Sequence, residues 1–269
     1  MQTQNQAGTG AVLITGASAG IGASFARAYA ARGRTVVLTA RRGDRLRALA
    51  ASLAPVRCKV IECDLSDRDA PRQLQEEIER RGFAIDSLVN NAGYGVTGSF
   101  LSRDWTTHAD FVQVMITSVC ELTHRFLPGM RERKYGRVIN VASLAGLVPS
   151  SAGHTLYGAS KSFVIRFSES LALELAGSGV NVCALCPGFT WTEFHDANGM
   201  RPRMGNMPKW MWQSAEEVVD EGIAAVERGR SRHISGVVNR ALASAFKHLP
   251  QPLADALIRR QSRGFRDVQ

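Results

Sequence analysis

Short runs of apolar residues alternate along this chain with longer segments of helical period, and that alternation restricts the fold more than any other feature. The runs are Ala11–Thr15, Thr35–Thr39, Val56–Ile61, Ser87–Val89, Arg137–Val141 and Val180–Leu185, and a last short strand is expected near His233–Gly236. Runs that are apolar on both faces suit strands buried on both sides, as in a parallel sheet covered by helices. Right-handed crossovers between neighbouring strands then make such a sheet doubly wound. The expectation is an α/β fold: a doubly wound seven-stranded parallel sheet with helices on both faces. There is no internal repeat and no linker rich in Pro, Gly or Ser. Residues 1–269 are therefore read as a single domain, with a core over about 8–240 and a basic, helical C-terminal extension over 241–269.

Composition agrees with one such core, since 269 residues at 45% hydrophobic and 21% charged can bury a large α/β interior. Met1–Gly10 lacks the basic start and apolar run of a secretory signal, and no apolar stretch approaches the roughly 20 residues needed to span a bilayer. A cytoplasmic address is expected. The five cysteines, Cys58, Cys63, Cys120, Cys183 and Cys186, read as reduced core thiols. Cys183 and Cys186 match C-x-x-C, but in a buried strand positions i and i+3 face opposite ways, so no metal or redox site is expected there. Of the formal charge of +9, residues 228–269 carry nine Arg/Lys against Asp255 and Asp267, a net of +7. No nucleic-acid-binding motif accompanies that charge, and it reads as a solvated face or subunit contact.

The first strand runs directly into Thr15–Gly22 and then into a helix, the setting of a dinucleotide-binding loop. Gly16 permits the tight turn, Gly20 lets backbone approach a pyrophosphate, and Gly22 lets the helix pack on the strand, with Ser18 and Ile21 between them. At the end of the second strand, Ala40-Arg41-Arg42 lacks the carboxylate that would accept from a free ribose 2′-hydroxyl. Two guanidiniums there suit a 2′-phosphate, so NADP(H) is the expected cofactor; the competing reading solvates both arginines and pairs them with Asp44. After the third strand, Asp64, followed by Leu65, can accept from an adenine amino group or cap a helix. After the fourth, Asn90-Asn91-Ala92-Gly93 allows close approach of backbone to a ribose.

Ser143 follows the fifth strand, and Tyr157 and Lys161 share one helix face at spacing i, i+4. Reduction of a carbonyl needs an acid for the forming alkoxide. A phenol of ordinary pKa about 10 is poorly matched to neutral pH, but a neighbouring ammonium would favour its phenolate. Ser143 can hold the substrate oxygen, Tyr157 can move the proton, and Lys161 can support the phenol and bind a ribose.

Taken in order, Thr15–Gly22, Asp64, Asn91-Ala92-Gly93, Ser143, Tyr157, Lys161 and Pro187-Gly188 resemble the motifs of the short-chain dehydrogenase/reductase family over roughly residues 8–240. The resemblance implies a Rossmann fold of strand order 3-2-1-4-5-6-7, a Ser-Tyr-Lys catalytic group and a homodimer or homotetramer. It also implies that Pro187, Gly188, Thr190 and Thr192 lie beside the nicotinamide. One position departs: Met115 stands where many members carry an Asn that helps a local helix bend and belongs to a proton relay. Met115 keeps the main-chain carbonyl that the relay is described as using, and Ser118 lies one turn away as a conceivable substitute.

The substrate loop of the family falls on residues 190–213, where Trp191, Phe194, Met200, Met204, Met207, Trp210, Met211 and Trp212 suggest an apolar lid. A ketone, aldehyde or 3-oxoacyl substrate of apolar character is expected; the competing reading has these side chains complete the core. Leu242–Arg263 reads as a basic amphipathic segment split by Pro250 and Pro252, able to pack on a neighbouring subunit, on its own domain or on a membrane surface. An alternative to catalysis, motivated by Met115 and the basic tail, is an NADP(H)-binding regulatory or scaffold protein.

Overall fold

The computed structural model describes residues 8–149, 152–193 and 208–248. Seven strands form one parallel sheet, β1 (Ala11–Thr15), β2 (Val36–Ala40), β3 (Cys58–Glu62), β4 (Ile85–Asn90), β5 (Gly136–Val141), β6 (Val180–Cys186) and β9 (Arg232–Ile234), in the order β3-β2-β1-β4-β5-β6-β9. The sheet is doubly wound and parallel, as the pattern of apolar runs predicted, and its strand order is the one that the family resemblance implied. A separate parallel pair, β7 (Phe189–Thr190) with β8 (Trp212–Gln213), closes the two ends of the 190–213 segment on each other.

Period-two alternation assigns each strand residue to a face. Val12, Ile14, Val36, Leu38, Val89, Ile139 and Leu185 meet α1 (Gly20–Ala31), α2 (Gly43–Ser52) and α7 (Ala215–Glu227) on one side. Leu13, Val37, Leu88, Val138 and Val182 meet α3 (Ala70–Arg80), α5 (Ser118–Glu132) and α6 (Thr155–Glu174) on the other. The C-x-x-C pair obeys the same rule. Cys183 belongs to the first cluster and Cys186 to a third one with Val164 and Ile165 of α6, and burial pushes both thiols up to about 12.

At the end of the sheet where its strands begin, buried Asp86 accepts from Arg34, from the Gly10 amide at 2.7 Å and from the Ser87 hydroxyl at 2.9 Å. The opposite end, where the strands finish, is left for the loops.

Helix α4 (Trp105–Val112) runs into α5 through a π-turn over Gln113–Thr117. Helix α8 (Val237–His248) follows β9, so the boundary set at residue 240 falls inside a helix. Residues 249–269, with Pro250, Pro252 and the rest of the basic tail, lie outside the described residues, as do Phe194, Met200, Met204 and Met207. No described helix is long and apolar enough to cross a membrane.

Candidate active site

A cleft of about 710 Å³ opens over the carboxyl ends of the strands, and its wall is assembled from the turn that follows each of β1 to β6. This is where open α/β sheets bind ligands. After β1, Gly16 and Gly20 adopt φ of +64° and +54°, which only glycine takes without strain. Asn91, after β4, fastens that turn: its side-chain amide donates to the carbonyls of Thr15 at 2.9 Å and Gly16 at 3.2 Å. The Thr15 hydroxyl accepts from the amides of Asn91 and Ala92. The first turn of α1 has neither a side-chain cap nor an acidic residue, so its amides face the cleft uncompensated.

Gly16, Ser18, Gly20, Ile21, Arg41, Arg42, Asp64, Leu65, Asn91, Ala92, Gly93, Ser143, Tyr157, Lys161, Pro187, Gly188, Thr190 and Thr192 all line the cleft. Gly22 does not. A Cβ there would meet the Gly16 carbonyl oxygen at 2.4 Å and the Asn91 amide nitrogen at 2.5 Å, so Gly22 is a packing glycine and not a lining one. Asp64 also takes its local role, accepting from the Ser66 amide at 3.0 Å and hydroxyl at 2.8 Å. Arg42 does not pair with Asp44. Its guanidinium donates to the Ser18 hydroxyl at 3.1 and 3.2 Å and reaches Glu193 at 3.4 Å.

At the other end of the cleft, β5 delivers Ser143 and α6 delivers Tyr157 and Lys161. The Ser143 hydroxyl accepts from the Ala145 amide at 3.1 Å, which caps the short turn after β5. It also hydrogen-bonds the Tyr157 phenol. Lys161, 7% exposed, donates to the Val141 carbonyl at 2.8 Å, and its ammonium lies 5.7 Å from the Tyr157 ring centroid. Burial pushes the phenol up to about 12, and the Ser143 hydrogen bond draws it back only in part. Burial lowers the Lys161 ammonium to about 8. The Ser143 hydrogen bond is what draws the phenol down, while the Lys161 ammonium donates to the Val141 carbonyl of β5.

Met115, 1% exposed, sits in the π-turn with its sulfur packed over Gly93, where a Cβ would stand 2.9 Å from Sδ. The bend that an Asn would assist is present without it. Gln113 and Ser118 hold the turn instead: the Gln113 amide reaches the Ser118 hydroxyl at 3.4 Å, and Ser118 donates to the Leu65 carbonyl at 3.0 Å. Ser118 therefore tethers α5 to the cleft wall.

Several lining residues were not singled out from the sequence: Tyr94, Asp110, Val148, His154, Phe189 and Glu193. Only His154 carried a local signal, one helical turn before Tyr157. The described tryptophans of the 190–213 segment, by contrast, do not line the cleft. Trp191 and Trp212 stack on each other at 4.2 Å, and Trp210 is 66% exposed.

Residues 10–201 match the short chain dehydrogenase family. The chain belongs to that family of oxidoreductases. Serine 3-dehydrogenase of Agrobacterium fabrum is 37% identical over 190 residues, 69% of this chain and 74% of that one. A short-chain dehydrogenase from Sphingobium yanoikuyae, solved in complex with NADPH, superimposes with a TM-score of 0.77 at 29% identity, covering 90% of this chain and 97% of that one. The bulky-bulky ketone specific alcohol dehydrogenase from Comamonas testosteroni gives a TM-score of 0.74 at 27% identity, covering 91% and 96%. Family and fold both agree with the resemblance carried by the motifs.

Proposed function

We propose that this short-chain dehydrogenase is an NADP(H)-dependent oxidoreductase that interconverts an apolar carbonyl and its alcohol, with Tyr157 as the proton-transfer group. The observation that carries the reading is one cleft with a Ser143-bonded phenol and a buried Lys161 at one end and Arg41 and Arg42 at the other.

The residues present fit a dinucleotide. Gly16 and Gly20 in left-handed conformations and the uncapped start of α1 make a cradle for a pyrophosphate, Asp64 and Leu65 flank the adenine side, and Arg41 and Arg42 offer charge for a 2′-phosphate. Pro187, Gly188, Thr190 and Thr192 would hold the nicotinamide end, and Lys161 its ribose. The bound cofactor supplies or takes the hydride. Ser143 orients the substrate oxygen, and Tyr157, protonated at neutral pH because burial holds its pKa near 12, donates a proton as the oxygen gains charge.

Relatives span substrates as different as serine and bulky ketones, so the cleft itself bears on substrate class. Beside the polar residues already named, Tyr94, Val114, Leu144, Val148, Pro149 and Phe189 add apolar side chains to its lining, with Asp110 and His154 among them. That supports an apolar ketone, aldehyde or 3-oxoacyl group. The test compares NADPH with NADH consumption over a panel of apolar and polar carbonyls, for wild type and Tyr157→Phe. NADPH-dependent reduction of apolar carbonyls that falls at least about 10²-fold in Tyr157→Phe, with cofactor binding retained, is expected. A wild type that binds NADPH and turns over nothing would sink the catalytic reading in favour of a binding protein.

A further inference from the structure

At the adenosine end of the cleft a third arginine and a carboxylate join Arg42. Glu193, which follows Thr192 on the cleft wall, accepts from Arg45 at 2.7 Å and from Arg42 at 3.4 Å. Arg42 lies at the N-terminus of α2 and Arg45 on its first turn, whereas Glu193 arrives from the far side of the cleft beyond β7. Nothing local demands this meeting. All three side chains are about half exposed, at 45% for each arginine and 55% for Glu193, so the pairs are open to exchange with another anion. The two guanidiniums also share one carboxylate oxygen, Oε2, which leaves an excess of positive charge around a single anion.

We propose that Glu193 is an internal competitor for the 2′-phosphate of the cofactor, and that Arg45 completes the phosphate subsite begun by Arg41 and Arg42. The inference rests on the NADP(H) reading and deepens it. A 2′-phosphate presents two negative charges and three acceptor oxygens to the guanidiniums that now hold Glu193, and it displaces the carboxylate because a doubly charged fork partner binds arginine more strongly. NADH carries a hydroxyl at that position and has nothing with which to displace Glu193. The carboxylate therefore weakens NADPH binding by the strength of its own pairs and leaves NADH unaffected, which makes residue 193 a control on cofactor preference.

The experiment is a titration of nucleotide fluorescence with NADPH and, separately, NADH, on wild type, Glu193→Gln and Arg45→Met, without substrate. Glu193→Gln is expected to tighten NADPH by about three- to tenfold, the range that two exposed ion pairs can supply, with NADH unmoved. Arg45→Met is expected to weaken NADPH and not NADH. A Glu193→Gln variant that binds NADPH as wild type does or more weakly, or that shifts both nucleotides equally, overturns the inference, since Glu193 would then only position the arginines or the wall. A wild type with no preference for NADPH overturns the NADP(H) reading itself, and this proposal with it.

Discussion

Lys161 shows most clearly how one side chain sets a cost against a use. Its ammonium is buried and lowered to about 8 from an ordinary 10.5, so between these pH values the unfolded chain holds more protons than the folded one. Stability then rises with pH through that window, and below pH 8 the charged, buried ammonium is a burden on the fold. Lys161→Met is expected to be more stable than wild type near pH 7. Its advantage shrinks by about 3 kcal/mol in total as pH rises from 8 to 10.5, as followed by denaturant unfolding at several pH values. A pH-independent difference would mean that the ammonium is not desolvated. Ser143 acts in the opposite sense on its neighbour, since its hydrogen bond is what draws the Tyr157 phenol down from the position that burial imposes. In Ser143→Ala the phenol rises further. Under the proposed function, the alkaline limb of alcohol oxidation, which needs the phenolate, should move to higher pH than in wild type, and the pH at which reduction declines, which marks loss of the phenol, should move the same way.

Among the elements, the passage from α4 to α5 shows that a helix bend does not belong to one residue type. The sequence pointed to Met115 as a loss, because an Asn at that position assists the bend. The π-turn over Gln113–Thr117 persists, pinned by Gln113, Ser118 and the Leu65 carbonyl, with the Met115 side chain filling the space over Gly93. Met115→Ala removes a fully buried side chain from a tight site and should cost about 2–5 kcal/mol in urea unfolding. A cost under about 1 kcal/mol would show that the turn does not depend on Met115 packing. The strands, the glycine loop and the Ser143, Tyr157 and Lys161 group were legible in the sequence because each leaves a local mark: a short apolar run, a turn that only glycine takes, or an i, i+4 pair on one helix face. The contact of Glu193 with Arg42 spans 151 residues and left no trace in either segment. Trp191 and Trp212 read as a lid from composition, yet register decides their place, since pairing of β7 with β8 brings the two rings together.

For the whole molecule, the start of α8 and the cleft floor are one structure. Asn239 of α8, 2% exposed, lies against Gly188, where a Cβ would stand 2.3 Å from its Oδ1. Its amide donates to the Ser235 carbonyl at 2.8 Å and to Gln213 of β8 at 3.3 Å. Glu221 of α7 gathers His233 at 2.7 Å, Arg240 at 3.2 Å, Gln213 and the Gly236 amide around one carboxylate. Four consecutive elements, β8, α7, β9 and α8, are therefore knotted together beside Gly188. Gly188→Ala should collide with Asn239 and cost about 1–3 kcal/mol of stability together with NADPH affinity. Asn239→Ala added to it should restore part of both. Additive losses in the double variant would separate α8 from the cleft. None of these contacts was readable in the sequence, because each depends on how β8, α7, β9 and α8 pack on one another.

The first turn of α1 carries no cap and no acid of its own, and under the proposed function a pyrophosphate is what completes it. A ligand bound only by the folded chain adds about 2.7 kcal/mol of stability at a hundredfold excess over its Kd. The lifetime of this protein in a cell would then follow the size of the nucleotide pool. A shortage of cofactor would leave the glycine loop more often open to proteases, and abundance would fall before any catalytic step was limiting.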